Sequence, residues 1–188
     1  EFPWQNFKDI ASMGLFSLAT DAAYGGTGGG FKELGIVIEE IARACAATSV
    51  IYAAHISLAT QAISRFGNEE QKQRFIPPLV KGEKVGAFAL SESESGSDAG
   101  ALRSTVTRQD DCYILNGSKM FITNGDVADT LVVFATHERS LGSRGIDCFI
   151  LEKGMAGLTA NKLSDKMGMR ASSTVELVFQ DCVVPEKN

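Results

Sequence analysis

Through the first half of the chain the hydrophobic positions recur with a helical period. Leu34, Val37, Ile38, Ile41 and Cys45 follow an i, i+3, i+4, i+7, i+11 stripe, and Lys32, Glu33, Glu39, Glu40 and Arg43 lie largely off it. That spacing predicts an amphipathic helix over Phe31–Ala47, with Glu39 and Arg43 paired in the favourable order. Thr48 or Ser49 is the expected cap of a second helix that runs to about Phe66 and stops at Gly67. This second helix is apolar nearly all round, so burial on several sides is expected. Asn68 caps a third helix with Glu69 and Glu70 in its first turn, and the Pro77-Pro78 pair should end it. Upstream, Phe7, Ile10, Ala11 and Leu15 give Pro3–Leu15 a short amphipathic face. The glycine-rich run Thr20–Gly30 reads as a loop, because it lacks G-x-G-x-x-G spacing and no strand feeds it.

Beyond Lys81-Gly82-Glu83-Lys84 the period changes to two. Predicted strands are Val85–Leu90, Ser104–Arg108, Cys112–Asn116, Lys119–Thr123, Thr130–Thr136, Ile146–Glu152, Leu158–Lys162 and Thr174–Cys182. Asp110-Asp111 and Asn116-Gly117 mark tight turns between neighbours. The expected fold is therefore α+β. Residues 1–84 form a helical segment and residues 85–188 an antiparallel β-barrel or sandwich.

Charge and composition narrow the function classes. A formal net charge of −5 and the absence of any basic stripe leave no electrostatic footing for nucleic acid. No apolar run approaches the ~20 residues that span a bilayer. Cys45, Cys112, Cys148 and Cys182 are far apart and only His55 and His137 accompany them, so free thiols are expected and no metal site. The chain opens Glu1-Phe2-Pro3-Trp4 with neither a basic start nor an apolar h-region, which sets the expectation of a protein that is not secreted. The methionines Met120, Met155, Met167 and Met169 are read as core filler.

The candidate chemistry lies where apolar strands break into polar, glycine-rich backbone. Val85–Leu90 runs into Ser91, Glu92, Ser93, Glu94, Ser95, Gly96, Ser97 and Asp98. Such a loop offers closely spaced amides and hydroxyls that suit the polar edge of a planar heteroaromatic. Phosphate fits less well beside three carboxylates.

Ala89, Leu90, Ser91, Glu92, Ser95, Gly96, Ser97, Asp98 and Ala101 match the signature small–aliphatic–Ser–Glu–x–x–small–Gly–Ser–Asp–x–x–small, and Met120–Gly125 reads M-F-I-T-N-G. With Met167–Pro185 and the Tyr24–Gly28 turn before its E-E-I-A helix, these segments resemble the acyl-CoA dehydrogenase family, in order and over essentially the whole chain. The resemblance implies an internal piece: part of the N-terminal helical domain and the middle β domain. It implies FAD as cofactor, with Phe88, Ala89, Leu90, Ser91, Glu92, Ser97, Phe121, Ile122 and Thr123 at the flavin, Ser91 toward the pyrimidine side and Thr123 near N5. Ser97 and Ser143 are implied at the acyl-CoA, with Arg144 a weaker contact. No catalytic base is nominated, since the family's glutamate lies in a C-terminal helical bundle.

The implied reaction is α,β-dehydrogenation of an acyl-CoA thioester with electrons passed to an electron-transfer flavoprotein. The alternatives are an acyl-CoA oxidase or related flavin oxidase or monooxygenase, or a non-catalytic module. A homo-oligomer, dimer or tetramer, in the bacterial cytoplasm or mitochondrial matrix is also implied. Two departures stand out: Phe121 replaces a tryptophan common in the family, and Ser93-Glu94 stands where many members carry proline. Arg170 is expected to bond carbonyls of its own loop. For His55 two readings stand, a satisfied core histidine or a polar group lining the acyl pocket that this helix forms in the family.

Overall fold

The computed structural model describes residues 1–188. Its helices are α1 (Trp4–Ser12), α2 (Phe31–Ala44), α3 (Ala46–Ala53), α4 (Gln61–Phe66) and α5 (Glu69–Val80), and a π-helical segment, Ala54–Thr60, joins α3 to α4 in one rod. The strands are β1 (Gly86–Ala89), β2 (Thr105–Gln109), β3 (Cys112–Thr123), β4 (Thr130–Thr136), β5 (Ile146–Glu152), β6 (Leu158–Lys162) and β7 (Thr174–Pro185). No helix is long and apolar enough to cross a membrane.

Two helix boundaries differ from expectation. The first helix ends at Cys45, whose backbone is extended at φ −155°, and not at Ala47. Thr48 and Ser49, the expected caps, sit inside α3 and bond outward: Ser49 Oγ donates to the Ile38 carbonyl and Asn6 Nδ2 to Thr48 Oγ1. The third helix continues through Pro77 and Pro78 to Val80. The carbonyls deprived of proline N–H groups belong to Gln73 and Arg74, which are exposed to water, while Leu79 and Val80 are buried. Burial outweighs the lost bonds.

The sheet runs β1-β4-β2-β3-β7-β6, with β5 on the other edge of β4. Its hairpins are antiparallel, but β1 pairs with β4 in parallel (Gly86 opposite Thr130), and one parallel bridge joins Thr105 to Thr136. Asp110 takes φ +50° in the two-residue turn between β2 and β3. The turn expected at Asn116-Gly117 is instead a bulge inside the single long strand β3. Gly117 adopts φ +136°, and a Cβ there would lie 2.7 Å from Ser104 Cα, so only glycine admits the close approach to β2. Asn116 seals the bulge with two hydrogen bonds to Asp181, at 2.8 and 3.0 Å.

Alternation along β4 explains its unbroken apolar sequence. Leu131, Val133 and Ala135 enter the core inside the curled sheet with Leu115, Leu177 and Phe179. Val132 faces the other way, into Ala59, Ile63, Phe75, Ile76 and Leu79 of the helices. A strand buried on both faces reads as a continuous run. At ~1.5–3 kcal/mol per buried aliphatic or aromatic side chain, this helix–sheet seam anchors the rod that bounds the cleft described below.

Met167 is 98% exposed and Met169 is also exposed, so neither is core filler. Both stand on the loop before β7, where half-buried Lys166 braces the turn by donating from Nζ to the Met169 and Ser172 carbonyls. Met155 does pack on the core. All four cysteines are free; Cys182 is buried and Cys148 exposed.

Candidate functional site

Between the helical rod and the sheet lies a cleft of about 240 Å³ lined by Ala54, Leu58, Phe88, Leu90, Ser91, Phe121, Ile122 and Thr123. Across Leu58 and Phe88 it adjoins a second depression of about 310 Å³, bounded by Phe31, Ser57, Gln61, Ala62, Arg65 and Phe66. Together they reach the size of small-molecule sites and share their mixture of apolar lining with a few polar groups.

The sequence places these walls by local means. Strand β1 ends at Ala89, and Leu90 and Ser91 leave the sheet toward the cleft while Ala89 is sealed in the core. On the opposite wall the β3–β7 register slips between Lys119 and Ile122. Within that bulge Phe121 adopts φ +61° and its ring is 66% exposed. Positive φ is a strained state for a bulky side chain, and strain of this kind concentrates at ligand sites. Here it turns an aromatic face outward beside Ser91 and Thr123. Neither of those hydroxyls has a hydrogen-bond partner within the chain, and both remain available to a ligand.

Six of the nine residues expected at the flavin thus converge: Phe88, Leu90, Ser91, Phe121, Ile122 and Thr123. The other three lie elsewhere. Ala89 is core, Glu92 is buried behind the loop in an ion pair, and Ser97 is exposed on the turn beyond. That turn is capped by Ser95, whose Oγ donates to the Asp98 carbonyl at 2.8 Å, which leaves Ser97 unengaged. Ser143 is exposed on the neighbouring Arg139–Gly145 turn; a Cβ on Gly100 would sit 3.6 Å from its amide. Ser97 and Ser143 therefore stand on adjacent turns, outside the cleft. Glu94, the charge replacing proline, pairs with Arg103 at the surface. Arg170 Nε donates to the Lys166 carbonyl, as expected of a loop brace.

His55 belongs to the π-helical segment and is completely buried. Its Nδ1 accepts from the Gly86 amide at 2.9 Å and its Nε2 donates to the Leu79 carbonyl at 3.0 Å, which fixes the neutral tautomer. Burial lowers its pKa to about 4 against a small opposing effect of the Leu79 carbonyl. It is a satisfied core histidine. Its work is to tie the rod to α5 and β1 while Ala54 and Leu58, flanking it, meet the cleft.

Four contributors escaped sequence reasoning. Ala54 and Leu58 needed knowledge of the π turn, whose widened ring is closed by Thr60 Oγ1 donating to the His55 carbonyl. Lys119 was read only as the first residue of a predicted strand, with no partner or role assigned to it. Asn124 is fully buried at φ +67°, and its Nδ2 donates to the carbonyls of Ile51 and Gly86, stapling the residue after Thr123 to α3 and β1. Asn124→Ala is expected to cost about 2–4 kcal/mol by removing two bonds to buried carbonyls and straining the left-handed backbone. Asn124→Gly should recover the backbone part only. Urea unfolding of the two variants checks the split.

Residues 1–83 match the family model for the acyl-CoA dehydrogenase N-terminal domain, and residues 87–182 match that for its middle domain. The chain belongs to the acyl-CoA dehydrogenase family. It is 46% identical over 187 residues to a short-chain specific acyl-CoA dehydrogenase of Clostridium acetobutylicum, with all of this chain and 49% of the relative aligned. A chain from a structure solved in work on the electron transferring flavoprotein of Acidaminococcus fermentans superposes with TM-score 0.96 at 42% identity, over 100% of this chain and 50% of that one. A glutaryl-CoA dehydrogenase of Mycobacterium smegmatis, solved in complex with FADH2, superposes with TM-score 0.91 at 31% identity, over 99% and 47%. The chain spans about half the length of the acyl-CoA dehydrogenase relatives it matches. Its curled mixed sheet behind a helical segment is the family fold.

Proposed function

We propose that this chain forms the flavin- and acyl-facing walls of an FAD-dependent acyl-CoA dehydrogenase that removes hydrogens from the α and β carbons of a short acyl-CoA thioester. One observation carries the reading: the two signature loops meet across a single cleft with an outward aromatic face and two unpaired hydroxyls. Those groups fit the polar edge and planar face of an isoalloxazine. When bound, FAD supplies a two-electron acceptor for hydride. Ser91 and Thr123 would hold polar edge atoms of the ring, and Phe121 would offer it an aromatic face. Ala54, Leu58 and Phe88 form the apolar side of the cleft, where they exclude water from an acyl chain.

No carboxylate lines the cleft, and Glu92 is committed elsewhere. On this reading the α proton goes to a group outside these residues. Ser97 and Ser143 face the CoA side. Residues 1–84 and 85–188 are read as two domains meeting at Lys81–Lys84. A similar chain solved in work on an electron transferring flavoprotein supports such a flavoprotein as electron acceptor. The proposal also takes the full-length protein to be a homo-oligomer of the bacterial cytoplasm or the mitochondrial matrix.

The test is the visible spectrum of the full-length protein, followed by anaerobic titration with acyl-CoAs from butyryl to palmitoyl. A yellow protein bleached by the short thioesters is the expected result. A colourless protein that no added FAD reconstitutes overturns the proposal, and peroxide production in air moves it to an oxidase. Ser91→Ala and Thr123→Val are each expected to weaken FAD binding about fivefold, the equivalent of one net hydrogen bond.

A further inference from the structure

Behind the cleft, Lys119 and Glu92 are both buried, with Nζ 2.6 Å from Oε1. Lys119 Nζ also donates to the Leu90 carbonyl at 3.1 Å. Glu92 accepts from the amides of Arg103 and Ser104, so both of its oxygens are engaged. Burial presses the Glu92 carboxyl upward, but the bonds it accepts from Lys119, Ser104 and Arg103 outweigh that and hold it below its ordinary value. For Lys119, burial lowers the pKa while Glu92 opposes the shift.

The position of this pair matters more than its charge. Lys119 is the last regular residue before the bulge that turns out Phe121, and Glu92 follows Ser91 directly. One backbone bond joins the two loops next to it, from the Met120 amide to the Ser91 carbonyl at 2.8 Å. The nearest cleft-lining residue of each loop therefore lies one position (Ser91 from Glu92) or two positions (Phe121 from Lys119) from a member of the pair. A pure core brace has no need to bond a loop carbonyl and two further loop amides, whereas a clamp between loops does.

We propose that the buried Lys119–Glu92 pair is the positioning element of the cleft, clamping the Leu90–Glu92 turn to the Met120–Thr123 bulge so that Ser91, Phe121 and Thr123 address one ligand. What that ligand is rests on the flavin reading; the clamp itself does not.

The experiment compares three forms of the full-length protein: wild type, the double variant Lys119→Met with Glu92→Gln, and Val184→Ala. The double variant leaves no buried charge and keeps an acceptor for one of the two loop amides. Val184→Ala weakens the same core at a distance from both loops. Amide exchange is read without ligand, and FAD affinity and visible circular dichroism are read with it. The clamp predicts that exchange in Leu90–Glu92 and Met120–Thr123 rises about tenfold in the double variant and not in Val184→Ala. It also predicts that FAD binds at least about tenfold more weakly, with an altered visible circular dichroism band. Loops that exchange no faster than in Val184→Ala overturn the proposal. So does a double variant that fails to fold, because the pair would then support the whole sheet. If the wild type takes up no FAD, the flavin reading fails while the exchange comparison still decides the role of the pair.

Discussion

Lys119→Met alone is expected to remove about 3–5 kcal/mol of stability, more than any other single substitution considered. The cause is the carboxylate left behind. Glu92 would keep its two amide donors from Arg103 and Ser104 but lose its only counter-charge, in a place where only 8% of the residue meets water. A whole domain holds only ~5–15 kcal/mol, so this is a large share. Adding Glu92→Gln should return most of the loss, because a neutral amide no longer needs the ammonium. Urea midpoints for the single and double variants check this directly. Two additive penalties, with no recovery in the double, would mean that the pair contributes through packing and not through charge. The prediction concerns stability; the clamp described above concerns where the loops sit once the chain is folded.

The second large effect is the acid sensitivity built in by His55. Its folded pKa of about 4 lies below the ordinary histidine value of 6.5, so the native state resists the proton that the unfolded chain accepts. The stabilisation is complete above pH 6.5, falls as the pH drops through the window, and is lost by about pH 4. A shift of this size corresponds to about 3 kcal/mol. The groups around the ring are the aromatic side chains of Phe7 and Phe16, at centroid distances of 5.3 and 4.4 Å, so no neighbouring carboxylate stabilises the imidazolium. His55→Gln should be less stable at pH 7, where it loses shape and one of the two bonds. Its stability should then vary much less between pH 6.5 and 4. Urea unfolding of both proteins at several pH values reads the difference, and parallel pH curves would show that His55 does not titrate in this window.

Periodicity was enough to find α2, β4, β5 and β6, because each buries a regular face whose spacing is written directly in the side chains, while α5 was marked by its Asn68 cap and acidic first turn. It misread Asn116-Gly117, since a glycine between two apolar runs signals a turn and a bulge alike; the choice fell to Ser104, whose Cα lies against that glycine. It stopped α5 at the prolines because local chemistry favours a stop, whereas the burial of Leu79 and Val80 is a long-range gain. The parallel pairing of β1 with β4 was out of its reach for the same reason.

The candidate site divides along similar lines. Ser91, Phe121 and Thr123 were legible because their motifs are contiguous and carry their chemistry within a few residues. What the sequence by itself determined is the order of the elements, their apolar faces and the two loops rich in ligand-binding groups. Only the tertiary structure decided which side chains of those loops face the cleft: Glu92 turns inward to Lys119, 27 residues away along the chain, and Leu58 and Ala54 arrive from a helix. Buried charges must find partners wherever the fold brings them, and that need is not encoded in any local window of sequence.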